Sequence, residues 1–168
     1  IVTVATSGDP NPQLVLAGNQ ANWSWQMNVF ETLTVLDESG VPQPLLASSW
    51  VLAPDALSLE ITLRDDVTFH SGRAMTAEDV KFSIEQSRDP LFGSQLAGVA
   101  NEFTAINVTS DTTLSIEFAR PLANVFDYFE VTSIIDKDTV AGLADGSSVI
   151  GTGPFVWTTW TPGTSLEL

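Results

Sequence analysis

The chain has 168 residues, 43% of them hydrophobic, enough for a domain with a real core and too apolar for a disordered segment. Against 21 acidic residues stand 6 Lys plus Arg, a formal net charge of −15. Such a surface repels phosphate backbones and anionic lipid, which excludes nucleic acid and acidic membranes as partners; solubility or salt adaptation explains the charge more simply than attraction of cationic solutes. There is no Cys, which excludes disulfides, thiol catalysis and cysteine metal sites.

In chain order, residues 1–5 read as a buried opening strand and residues 7–12 as a loop dense in Gly, Pro and Asn. Asn22 is placed to cap a helix that carries Trp23, Met27 and Phe30 toward a core. Residues 34–36 form a short strand, residues 37–40 turn it, and Pro42 and Pro44 keep the next stretch extended. Leu57, Leu59, Ile61 and Leu63 alternate with polar residues, a half-buried strand. Residues 67–69 read as its hairpin partner, ending at the turn of His70, Ser71, Gly72 and Arg73. Thr76 starts a helix with Asp79 at its third position, a capping box with a short acid, and Pro90 ends it. Strands follow over 103–108 and 114–118. A helix starts at Pro121 with an apolar stripe of Leu122, Val125, Phe126 and Phe129, then short strands lie over 133–135 and 155–157. Strands and helices that do not alternate strictly point to an α/β (α+β) architecture with a mixed sheet. Residues 164–168 alternate like a strand that has lost its partner, so the chain is expected to be a fragment whose open edge favours self-association.

Enzyme motifs fail one by one. His70 is the single His, Ser71 beside it points to the other face of an extended segment, and no G-x-S-x-G elbow is present. One His without Cys does not make a zinc site, and the acidic pairs lack EF-hand spacing, so no metal site and no cofactor is expected. Gly151-Thr152-Gly153-Pro154 lacks the third Gly and the Lys of a phosphate loop. Of the 5 Trp, Trp23 and Trp25 diverge by about 200° on a helix, so one packs and the other is free to line a cleft, unless both pack under a loop.

Four blocks, in order, resemble one family. They are Asn28-Val29-Phe30-Glu31-Thr32-Leu33, Pro44-Leu45-Leu46-Ala47-Ser48-Ser49-Trp50, the run from Arg64 through Phe69-His70-Ser71-Gly72 to Thr76-Ala77-Glu78-Asp79-Val80 and Phe82-Ser83, and Gly151-Thr152-Gly153-Pro154-Phe155. Together they are similar to the bacterial extracellular solute-binding proteins of the peptide/nickel type. Ser71 stands where that family has Asp or Asn, Val149 where it often has Pro, and Phe155 where Tyr is common.

The resemblance implies a type II periplasmic-binding-protein lobe cut before its second lobe. Residues 1–44 and 149–168 would form the sheet part of the first lobe, and residues 45–148 an inserted subdomain. It implies an extracytoplasmic protein, periplasmic or on the cell surface, with a lipid anchor left open. Such a protein hands a small solute, a peptide first, to the membrane permease of an ATP-driven importer, and is not an enzyme. Strand ends and Gly/Pro-rich loops place the ligand at Ser7, Gly8, Asp9, Trp23, Trp25, Gln26, Gly151 and Thr152. The competing functions are a hydrolase built on a carboxylate pair and a sensor or chaperone lobe that does not transport.

Overall fold

The computed structural model describes residues 9–17, 20–89, 94 and 96–168. The opening strand expected over residues 1–5 therefore lies outside the described residues, as do Ser7 and Gly8.

Helix α1 runs Gln20–Val29, and Asn22 sits inside it rather than at its cap. The Asn22 amide instead ties down the preceding loop: Oδ1 accepts from the Asn11 N–H at 3.1 Å and Nδ2 donates to the Asn11 carbonyl at 3.1 Å. Strands β1 (Thr34–Leu36) and β2 (Pro42–Pro44) pair as an antiparallel hairpin. Its turn is closed by the Asp37 carboxylate, which accepts from the N–H groups of Ser39 (2.9 Å) and Val41 (3.0 Å).

The main sheet has four strands in the order β3-β4-β6-β5. They are β3 (Ala47–Leu52), β4 (Ser58–Leu63), β5 (Phe103–Ser110) and β6 (Thr113–Phe118), all paired antiparallel. Alternation in β4 and β6 buries Leu59, Ile61, Leu63, Leu114, Ile116 and Phe118 on one face. The stretch at 47–52, to which the sequence assigned no element, is a strand with a register shift between Ala47 and Ser49. One sequence expectation changes here. Residues 67–69 do not pair with β4: the partners of β4 are β3 and β6, and Thr68 bridges only to Ala74. The central place of β4 follows from its apolar pattern, which needs cover along its whole length.

Helix α2 (Ala77–Ser87) starts at Thr76 as expected, and α3 (Ala97–Ala100) is a single turn. Helix α4 (Val125–Val131) begins four residues after Pro121, since residues 121–122 are irregular and residues 123–124 form a turn. No strand forms over 133–135 or 155–157. The last hairpin is β7 (Thr159–Thr161) with β8 (Ser165–Glu167). The terminal strand thus has a partner on one side.

The buried side chains form two clusters. The larger lies under the four-stranded sheet and holds Phe69, Val80, Ile84, Phe103, Tyr128 and Phe129. The smaller gathers Val15, Leu16, Trp25, Val29, Phe30, Ile135, Leu143 and Val149, with Trp157, Leu166 and Leu168 packed against it.

Candidate functional site

Helix α1 sits between the smaller core and a cavity. One of its faces, Trp25 and Val29 four residues apart, is buried. Trp25 meets Trp157 edge-on at 5.1 Å between ring centroids, and its indole N–H donates to Asn22 Oδ1 at 3.3 Å. The opposite stripe, Trp23, Gln26, Met27 and Phe30, lines a cavity of about 460 Å³. At its mouth Trp23 is 37% exposed and Met27 73% exposed. The helical periodicity expected at 23, 27 and 30 is present, but of these three only Phe30 reaches the core. Trp25 takes the core position, because the post-helix segment carrying Trp157 covers that side.

Opposite α1, Val35, Leu45 and Val131 continue the apolar wall, and Pro154 lines it as well. Polar groups interrupt it at Gln26, Glu31, Thr32, Glu130 and Ser133. Gln26 is 4% exposed, and its Nε2 donates to the Val15 carbonyl at 2.7 Å and to Ser133 Oγ at 2.9 Å. The Val15 carbonyl only accepts, so this bond settles which end of the amide is nitrogen. The other end, Oε1, is buried and has no hydrogen-bond partner among the described residues. Glu130 Oε1 accepts the Leu36 N–H at 3.0 Å, which anchors β1 to the end of α4. The Glu31 carbonyl accepts the Ile134 N–H at 3.0 Å, so the exit of α1 and residues 132–134 are held side by side.

The Gly-Thr-Gly-Pro loop is a clamp on the end of α1. Gly153 N–H donates to the Val29 carbonyl at 2.9 Å and Phe155 N–H to the Asn28 carbonyl at 3.0 Å. These satisfy carbonyls that a helix end otherwise leaves open. A Cβ on Gly151 would lie 1.9 Å from the Val29 carbonyl oxygen, and one on Gly153 2.6 Å from that of Asn28. The loop is Gly-rich because α1 presses against it. His70 locks the other side: its Nε2–H donates to the Gly153 carbonyl at 2.8 Å, Nδ1 accepts from Gly151 N–H at 3.4 Å, and its own N–H donates to the Gly151 carbonyl at 2.9 Å. With both ring nitrogens held by backbone, His70 is a structural staple.

Below this staple Arg73 bridges three segments. Its guanidinium pairs with Asp79 and Asp136, both carboxylates buried, and its Nε lies 3.3 Å from Asp138 Oδ2. It also stacks over the Phe69 ring at 4.8 Å from the centroid. Hydrogen bonding to Asp79, then to Asp136, holds the guanidinium pKa above its ordinary value despite partial burial. Asp79 Oδ2 in turn accepts the Thr76 N–H at 2.9 Å and hydroxyl at 3.0 Å, which closes the capping box. No group of three or more His, Cys, Asp or Glu placed to hold a metal occurs among the described residues.

Of the expected ligand residues, Trp23 and Gln26 line the cavity. Trp25 is turned into the core. Asp9 caps the last hairpin instead, accepting the Gly163 N–H at 2.7 and 2.8 Å. Gly151 and Thr152 do not line the cavity; Gly151 lies against the end of α1, and Pro154 is the part of the loop that reaches the cavity. Glu130 and Ser133 were not foreseen: Ser133 stands 107 residues from Gln26, and no local pattern marks it. Met27 was foreseen as a core residue, and the stripe at 23, 26, 27 and 30 was the available signal for the cavity wall.

The model of the bacterial extracellular solute-binding proteins, family 5, matches residues 41–168, more than half of the chain. The chain belongs to this family. It is 25% identical to the dipeptide-binding protein DppE of Bacillus subtilis over 97% of its own length and 33% of that protein's. Among solved structures, NikZ of Campylobacter jejuni, in complex with Ni(L-His), is 30% identical with a TM-score of 0.71, over 81% of this chain and 28% of that one. The binding protein AgaA of A. tumefaciens R10, in complex with agropinic acid, is 25% identical with a TM-score of 0.83, over 95% of this chain and 33% of that one. The fold is that of a type II periplasmic-binding-protein lobe, and the chain spans about a third of the length of the curated relatives it matches. Family and relatives are solute-binding proteins rather than enzymes.

Proposed function

We propose that this chain is part of the extracytoplasmic solute-binding component of an ATP-driven importer, and that the cavity beside α1 receives the cargo, a peptide or similar small solute. The observation that carries this is a cavity of about 460 Å³ with an exposed tryptophan at its mouth and a few polar groups set in an apolar wall. That is the composition of a small-molecule site. The family and the names of its relatives, among them a dipeptide-binding protein, support transport over catalysis. Catalysis has no support from the His70 geometry either, since backbone groups occupy both ring nitrogens. Trp23 and Gln26 are the ligand residues of this reading; Trp25 and Gly151 position the helix that carries them.

The two cores support a division into a first part at residues 1–44 and 149–168 and an inserted part at 45–148. The smaller core draws mainly on the first part, while borrowing Ile135 and Leu143, with Phe82 and Val140 packed against them, from the second. The cavity lies where the two parts meet, between α1 and the end of α4.

The test is titration of the full-length protein with a dipeptide and tripeptide library, followed by intrinsic tryptophan fluorescence and calorimetry. Trp23→Ala should weaken the best ligand about tenfold or more, the order of one lost stacking and burial contact. Unchanged affinity in Trp23→Ala would place the cargo elsewhere.

A further inference from the structure

We infer that this cavity takes a large, uncharged apolar side chain of a peptide cargo and discriminates against side chains that end in a hydrogen-bond acceptor. The inference rests on the cargo-binding reading above and narrows it to one class of peptide. Its ground is that the hydroxyl and amide side chains of the cavity wall are already engaged with the protein itself.

Gln26 is the clearest case. Its Nε2 spends its N–H groups on the Val15 carbonyl at 2.7 Å and on Ser133 Oγ at 2.9 Å. Its Oε1 is sealed from solvent, so Gln26 meets the cavity through its hydrocarbon stem and not its amide. Ser133, 2% exposed, is the acceptor of that second bond. The Thr32 hydroxyl donates to the Thr34 carbonyl at 3.0 Å. Among the described residues, these three are the hydroxyl and amide side chains of the lining. The ionisable ones are Glu31 and Glu130, whose carboxylates bring acceptors and negative charge but no donor. Glu130 has already given one oxygen to the Leu36 N–H. What the wall offers in full is apolar area. Met27, Val35 and Trp23 line it while 73%, 38% and 37% exposed, so a cargo that covers them removes apolar surface from water. An alkyl, thioether or aryl side chain gains this burial and asks for no partner. A side chain that ends in a carbonyl, sulfoxide or carboxylate strips its oxygen of water and meets acids where it needs donors.

The test uses four peptides that differ at the middle side chain: Ala-Met-Ala, the same peptide with methionine sulfoxide, Ala-Lys-Ala and Ala-Ala-Ala. The sulfoxide adds one acceptor oxygen to Met without changing its reach, and Lys probes the two acids. Calorimetry with the full-length protein should rank Met above Ala by about tenfold or more, from the side-chain atoms buried beyond Cβ. The sulfoxide should bind at least about tenfold more weakly than Met, and Lys should fall below Met as well. In the double variant Met27→Ala, Val35→Ala, the Met-over-Ala gap should shrink to within about threefold while the melting temperature holds, because both side chains are exposed. Equal binding of Met and its sulfoxide by the unaltered protein would overturn this inference; the cargo site stands in that case if Trp23→Ala still weakens both. Tighter binding of Lys than of Met would overturn it too, since the acids would then set the selection. So would a Met-over-Ala gap that survives the double variant. If none of the four binds at about 1 mM, the peptide-cargo reading falls and takes this inference with it.

Discussion

Replacing Gly151 by Ala tests whether the Gly-Thr-Gly-Pro loop is a clamp on α1. The added Cβ would stand 1.9 Å from the Val29 carbonyl oxygen, 2.8 Å from the Val29 carbonyl carbon and 2.9 Å from the Phe30 ring. Two of these are backbone atoms at a helix end, so no side-chain rotation relieves the clash. The loop or the end of α1 has to move by about 1 Å before the contact becomes tolerable. Such a shift breaks or stretches the bonds Gly153 N–H to Val29, Phe155 N–H to Asn28 and His70 Nε2–H to Gly153. At about 1 kcal/mol each, net of solvent exchange, the loss comes to about 3 kcal/mol. Gly98→Ala is the matched control, since nothing lies within 4 Å of its added methyl and it sits in α3. There Ala should be neutral or stabilising by up to about 1 kcal/mol. Urea denaturation at constant m-value reads both. A Gly151→Ala midpoint within about 0.5 kcal/mol of the unaltered protein would show that the loop yields freely and that the clamp is not what requires glycine.

Thr76→Ala should cost about 1 kcal/mol by removing the hydroxyl bonded to Asp79, read from the urea midpoint; an unchanged midpoint would remove the cap from the account of α2. Arg73→Met should cost about 3 kcal/mol, because it strands the buried Asp79 and Asp136 carboxylates without their cation, and restoring stability with Asp136→Asn in the same chain would trace the loss to that charge. Burial raises the Tyr128 pKa above 10.0, outweighing its hydrogen bond to Ser87. A raised pKa means the folded state holds its proton longer, so this stability is whole below the unfolded value and is lost as the pH climbs past it. The melting temperature should therefore drop from pH 9 to 11 more steeply in the unaltered protein than in Tyr128→Phe, a span set about one unit either side of the free phenol; identical slopes would mean that another group governs the alkaline limit.

The family blocks and the local pieces were legible in the residues themselves. Alternation predicted β4 and β6, and Thr76 with Asp79 predicted the start of α2, because period and capping act over a few residues. The spacing of Trp23 and Trp25 put them on different helix faces, with one free to line a cleft unless both packed under a loop, and His70, Ser71, Gly72 and Arg73 announced a turn. Which way each piece faces was decided only by packing. Trp25 is interior because Trp157, 132 positions later, arrives on that side, and Trp23 stays partly exposed at the cavity mouth. Asp9 looked like a loop acid aimed at ligand, yet the Gly163 turn needs its carboxylate. The Gly pair at 151 and 153 looked like a backbone approach to a solute, and the chain that approaches is α1 itself. Gln26, Ser133 and Glu130 form one wall across separations of about a hundred residues, where no periodicity reaches. Local pattern determines an element's type and its faces; which face meets core and which meets ligand depends on partners the chain brings from far along its length.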